Sequence, residues 1–218
     1  MANAADIILE GRESKDSRGR PTVEVVLKVA DVEVVGDVPA GASKGEDEAK
    51  TVAVEQAISN IHGPITSIVR ESGANLAEHA GLLAIEKLII DNSGENYADL
   101  GANAVLPVSR ALWKAAAALH NQELSQYINA NETELASDGT VGFLMNIFNG
   151  GLHALKDGET LGEDRIDIQE IMVVPSAPTY AEALEMGDKI DFALKGILTE
   201  KFSAEVLTRA DEAGFSVK

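Results

Sequence analysis

The chain has 218 residues and no cysteine, and its 18 Lys and Arg stand against 36 Asp and Glu, a formal net charge of −18 at pH 7. A field of that sign repels polyanions and argues against nucleic acid or an acidic membrane as the main partner. Without thiols there is no disulfide framework, no Cys-ligated zinc and no thiol nucleophile. Hydrophobic residues at 45% and charged residues at 25% are ordinary globular usage, so the acidity is not the signature of a disordered chain. No run approaches the roughly 18 apolar residues that span a bilayer, and the N-terminus lacks the basic and apolar start of a secretory signal. Cytoplasm is the expected compartment.

From Pro21 to Val29 the chain alternates, with Val23, Val25, Leu27 and Val29 on one face and Glu24 and Lys28 on the other, the period of a half-buried strand. A second run, Val32 to Val38, follows Ala30-Asp31 closely enough to close an antiparallel hairpin, and Asp6 to Arg12 adds a third strand. Pro39 to Gly45 is rich in small residues and reads as a surface loop. Helical periodicity then covers Glu46 to Ile61 and Asn75 to Ile90, the second with Asn75 as its N-cap. A third helix, Ala102 to His120, is rich enough in Ala and Leu to lie buried, and Pro107 is expected to kink or break it.

Around Asn131 to Thr140 the composition turns polar, which places a domain boundary there and divides the chain into residues 1–135 and 136–218. Beyond it come a strand (Val141 to Phe148), a long Gly- and acid-containing loop, a strand (Ile168 to Val174), a helix (Tyr180 to Lys201) and a short strand (Glu205 to Arg209). Alternating strands and helices point to an α/β sheet or barrel. So few strands cannot close a barrel, so this second region reads as unfinished.

The residues suited to chemistry lie in the second region. His153 follows Asn149-Gly-Gly-Leu, Gln169-Glu170 opens the next strand, and Asp211-Glu212 follows a third. In a βα barrel the site collects at the carboxyl ends of strands, and carboxylates with a His suit general acid–base work or Mg2+ coordination. Each has a plainer reading: His153 as a surface histidine, Glu212 as part of an ordinary turn, Ser43 as a solvated loop serine. Glu170 between Ile168 and Ile171-Met172-Val173 is the more informative, because a carboxylate in an apolar strand is costly unless paired or facing a wet cavity. Gly41-Ala-Ser-Lys-Gly45 lacks the spacing of a phosphate-binding P-loop.

Six segments in order, Asp16-Ser-Arg-Gly-Arg-Pro-Thr-Val-Glu-Val25, Val38-Pro-Ala-Gly-Ala-Ser-Lys-Gly45, Leu100-Gly-Ala-Asn-Ala-Val-Leu106, Met145-Asn-Ile-Phe-Asn-Gly-Gly-Leu-His-Ala154, Asp167-Ile-Gln-Glu-Ile-Met172 and Asp211-Glu-Ala-Gly-Phe215, resemble the successive signatures of enolase. The resemblance implies an α+β N-terminal domain, a three-stranded antiparallel meander plus helices, followed by an incomplete (βα)8-type barrel. It implies Mg2+-dependent dehydration of 2-phosphoglycerate to phosphoenolpyruvate, with Mg2+ stabilising an ene-diolate and a Lys as base. It implies that Glu212 assists departure of the hydroxide, that Gln169, Glu170 and His153 contact substrate, and that Ser43 ligates a second Mg2+.

The departures are specific. The family commonly reads Ser-Thr-Gly where this chain has Ser43-Lys44-Gly45, and Gly-Asp-Glu-Gly-Gly where it has Ala210-Asp-Glu-Ala-Gly214. The stretch between His153 and Glu170 carries several extra residues. The family's primary Mg2+ ligands, its base Lys and its main substrate-holding groups have no counterpart among the matched segments. The expectation is therefore an N-terminal part of an enolase-type lyase, inactive alone, acting as a homodimer or with a complementing chain. The rival is a stand-alone, non-catalytic enolase-like binding or assembly protein, and a third reading is an acid-sugar lyase or racemase of the wider superfamily.

Overall fold

The computed structural model describes residues 2–17, 19–39, 47–132, 142–151, 168–202, 207–210 and 213–217. The chain divides into two compact units, Met1–Ser137 and Asp138–Lys218.

Unit 1 is built on a meander of β1 (Ile8–Lys15), β2 (Pro21–Val29) and β3 (Val32–Asp37), each antiparallel to the next. Alternation dictates its faces: Val23, Val25, Leu27 and Val29 are all buried, and they form the floor of the core. Val29 pairs with Val32, so Ala30-Asp31 is a two-residue hairpin loop. Ala30 supplies a positive φ of 51°, the geometry that matches the strand twist.

Helices cover this floor: α1 (Val54–Asn60), α2 (Thr66–Glu71), α3 (His79–Asp91), α4 (Ala102–Leu119) and α5 (Leu124–Asn131). Helix α4 lies on β2 and β3 and buries Ala104, Val108, Ala111, Leu112, Ala115 and Ala116. Its small side chains permit close approach, and Gly36 of β3 completes it: a Cβ there would overlap the Pro107 carbonyl and stand 2.8 Å from the Ala111 nitrogen. Ile61, Ile65, Leu82, Ile85 and Leu112 are fully buried, and each contributes about 1.5–3 kcal/mol of apolar transfer.

Four expectations need correction here. The first helix begins at Val54, because residues before it pair with the first turn of α4: Val52 N–H donates to Asn103 Oδ1 at 3.0 Å, Asn103 Nδ2 returns a bond to the Val52 carbonyl at 2.8 Å, and Ala102 N–H donates to the Lys50 carbonyl at 2.8 Å. Helix then continues past Ile61 through a π-helical turn, Ile61–Ile65, to Glu71, and that turn accommodates Pro64, which has no N–H to donate. Asn75 does not cap α3; its Oδ1 accepts from Ala77 N–H at 3.2 Å in a local turn, and Glu78 precedes the first helical residue. Pro107 does not break α4, which runs unbroken from Ala102 to Leu119 with the proline ring buried. As a proline it forgoes one i→i−4 hydrogen bond, and the break, not the kink, is what the continuous helix excludes.

Unit 2 holds β4 (Met145–Asn149), β5 (Glu170–Val173), α6 (Tyr180–Lys201), β6 (Leu207–Arg209) and β7 (Phe215–Val217), with sheet order β5-β4-β7-β6. Both β4/β5 and β6/β7 are antiparallel, and β4/β7 is parallel. Helix α6 starts at a capping box, with Glu182 N–H donating to Thr179 Oγ1 at 3.3 Å and Thr179 N–H donating to Glu182 Oε2 at 3.1 Å, as its Thr-x-x-Glu spacing requires. The fold is thus a three-stranded antiparallel sheet with helices, followed by a partial α/β region. Among the described residues no helix is long and apolar enough to cross a membrane.

Candidate functional site

The carboxyl end of β4 and the amino end of β5 meet. Asn149 pairs with Glu170, and Gly150 N–H donates to the Gln169 carbonyl at 2.9 Å. Gly151 follows at φ 52°, a left-handed backbone that glycine adopts at little cost. Because β5 runs antiparallel to β4, Glu170 stands at the start of its strand rather than at its end, yet arrives beside the same Asn-Gly-Gly segment. Glu170 is half-buried, while Ile171 and Met172 beside it are exposed. The desolvation cost that singles out Glu170 in the sequence is therefore smaller than a buried strand would impose.

The β6–β7 hairpin lies on the other side of β4, where Phe148 pairs with Phe215. A bulge between Asn146 and Phe148 brings both asparagines together, and Asn146 Nδ2 donates to Asn149 Oδ1 at 3.2 Å. Asn149 is only 1% exposed and Ser216 fully buried, and Asn149 Nδ2 and Ser216 Oγ have no hydrogen-bond partner among the described residues. Gly214 lies directly on this amide: a Cβ there would overlap Asn149 Oδ1 and come within 2.9 Å of Asn146 Oδ1.

The hairpin turn is closed by Ala210 N–H donating to the Gly214 carbonyl at 3.0 Å and Ala213 N–H donating to the Ala210 carbonyl at 2.9 Å. Ala213 has φ 65°. Arg209, at the end of β6, donates Nη1 and Nη2 to the two carboxylate oxygens of Asp191 on α6, at 2.7 and 2.6 Å. Its hydrogen bonds hold the Asp191 carboxyl below the ordinary aspartate range, with partial burial opposing and the charges of Arg209 and Lys195 assisting.

Of the residues singled out in the sequence, Gln169 and Glu170 are brought to the Asn149-Gly150-Gly151 turn. Ser43, His153 and Glu212 lie outside the described residues. Two residues not named as site candidates from the sequence stand out. Asn149 carried a signal, since it ends an apolar strand immediately before Gly-Gly. Arg209 carried none, because its partner is 18 residues away.

The family model for the enolase N-terminal domain matches residues 8–128, and the model for the enolase C-terminal TIM barrel domain matches residues 141–218. The chain belongs to the enolase family. Enolase membership agrees with the meander of unit 1 and with strands and a long helix in unit 2. Among the described residues no three His, Asp or Glu side chains gather as a candidate cation site.

Proposed function

We propose that this chain is the N-terminal part of an enolase-type hydro-lyase, a carbon–oxygen lyase of glycolysis that converts 2-phosphoglycerate to phosphoenolpyruvate in the cytoplasm. The observation that carries the reading is the pair of enolase domain matches in order along the chain. In this reading residues 1–135 are the N-terminal domain and 136–218 the start of the barrel. Glu212 assists hydroxide departure, and His153, Gln169 and Glu170 contact substrate. Ser43 serves a second Mg2+ whose dependence the reading takes from the family. The register pairing of Glu170 with Asn149 supports this, because it sets Glu170 beside the Asn149-Gly150-Gly151 segment that leads in sequence to His153.

The reaction removes the proton α to a carboxylate and expels hydroxide from the neighbouring carbon. Electrostatic stabilisation of the charge that develops on the ene-diolate usually lowers such a barrier more than any other effect, and the base Lys and primary Mg2+ ligands that supply it have no counterpart in the matched segments. The 218 residues alone are therefore inactive; activity needs a chain supplying the remaining barrel, and the homodimer is an assembly state that does not replace it. The test mixes the chain with a polypeptide carrying those strands and follows phosphoenolpyruvate formation. Restored, Mg2+-dependent dehydration is expected; an inactive mixture with both partners folded overturns the reading.

One observation favours a second reading, a non-catalytic binding or assembly protein. Ala213 holds a left-handed φ of 65°, where the family's glycine would be unstrained. If the mixture gains activity only when Ala210→Gly and Ala213→Gly are introduced, the chain has departed from catalysis and this second reading holds.

A further inference from the structure

We propose that Arg209 is a positioning residue, fixing the backbone of Ala213, the residue that follows Asp211 and Glu212 in the sequence. Its significance for catalysis rests on the enolase-type reading; the geometry that carries it does not. One guanidinium makes three contacts on three elements. Its fork binds both oxygens of Asp191 on α6 at 2.7 and 2.6 Å. The nitrogen Nη1 also donates to the Ala213 carbonyl at 2.5 Å. Its carbon Cζ lies 3.5 Å from the centroid of the buried Phe215 ring in β7.

The turn needs such a clamp. A residue with a Cβ at φ 65° is strained, and strained backbone persists only where its surroundings over-determine it. Two hydrogen bonds within the hairpin, Ala213 N–H to the Ala210 carbonyl and Ala210 N–H to the Gly214 carbonyl, close the turn on itself. The Arg209 bond to the Ala213 carbonyl ties it to α6. A lysine keeps the charge but not the planar fork, so it cannot hold Asp191 bidentately while reaching Ala213 and stacking on Phe215.

The test is amide hydrogen exchange and the φ-reporting three-bond coupling of residue 213, by NMR on the whole 218-residue chain. In Arg209→Gln, exchange at Ala213 is expected to rise about tenfold and its coupling to shift, while amides of α6 and unit 1 keep their rates. Arg209→Lys is expected to follow Arg209→Gln. Adding Ala213→Gly to Arg209→Gln, which removes the strain, is expected to return exchange to within about twofold of the parent after correction for intrinsic rates. Wild-type coupling and exchange at Ala213 in Arg209→Lys or Arg209→Gln overturn the proposal. So does a loss that spreads through unit 2 in both variants or that Ala213→Gly leaves unreversed, since Arg209 would then be a general support. Turnover is not read, so an inactive mixture overturns the lyase reading and leaves this proposal to its own result.

Discussion

A single methyl group decides how closely α4 can lie on β3. Gly36 leaves room for nothing larger than hydrogen against the Pro107 carbonyl and the Ala111 backbone. Gly36→Ala is therefore expected to destabilise unit 1 by about 1–3 kcal/mol through overpacking, read as a lowered urea midpoint of Trp113 fluorescence. The Arg209–Asp191 pair sets a pH dependence of definite sign. Asp191 titrates below its ordinary value of 3.8 in the folded chain, so its contribution is present above that value and is lost as pH falls through the lowered one. Comparing Asp191→Asn with the parent, the gap in protection of the Ala213 amide should be constant above about pH 5 and close as the pH drops below 4. A gap that persists unchanged at pH 2 would show that the carboxylate's charge is not what holds the pair.

Helix α5 shows how an element is placed by contacts that its own sequence barely advertises. Its residues, Leu-Ser-Gln-Tyr-Ile-Asn-Ala-Asn, are too polar and too few for a clear helical period. Tyr127 is nonetheless buried beneath the rings of His79, Trp113 and His120, with centroids 6.0, 6.1 and 5.5 Å away. Burial pushes its phenol pKa up, and its hydroxyl has no hydrogen-bond partner among the described residues. Tyr127→Phe is thus expected to change stability by less than about 1 kcal/mol, whereas Tyr127→Ala should cost about 3–5 kcal/mol. A cost above 2 kcal/mol for the phenylalanine would reveal a partner for the hydroxyl. The signal for α5 was the Glu123-x-x-Gln126 spacing, in which the Gln126 side chain accepts from Glu123 N–H at 3.0 Å. The meander and α6 were legible because β2 alternates strictly and Thr179-x-x-Glu182 marks a helix start. The start of α1 was not, since residues 50–52 are held extended by Asn96, Ala102 and Asn103, about 50 positions away. Glu170 was legible as a carboxylate in an apolar strand, while His153 and Glu212 lie outside the described residues. The bulge that joins Asn146 to Asn149, and the Arg209 clamp, depend on strand register and stayed hidden.

Across the molecule the two units have unequal means of staying folded. Unit 1 joins the meander and its helices into one continuous buried cluster from Ala2 to Tyr127. Unit 2 buries Ala183, Leu198 and Phe215 among its described apolar residues, while Leu144, Ile168, Val174 and Ile197 are exposed and Phe192 is 80% exposed. Stability follows buried apolar area, so local opening should be far easier in α6 than in α4. The lone tryptophan, Trp113, belongs to unit 1 and reports that unit alone. In a urea titration, amides of α6 are expected to lose protection well before Trp113 fluorescence changes, by a free-energy difference of at least about 2 kcal/mol. Adding a polypeptide that carries the remaining barrel strands should raise the protection of α6 and leave the Trp113 midpoint where it was, because only unit 2 gains buried surface. Loss of both signals in one coincident transition would instead mean that the 218 residues unfold as a single cooperative body, and the exposed face of α6 would then be no measure of how firmly unit 2 is held.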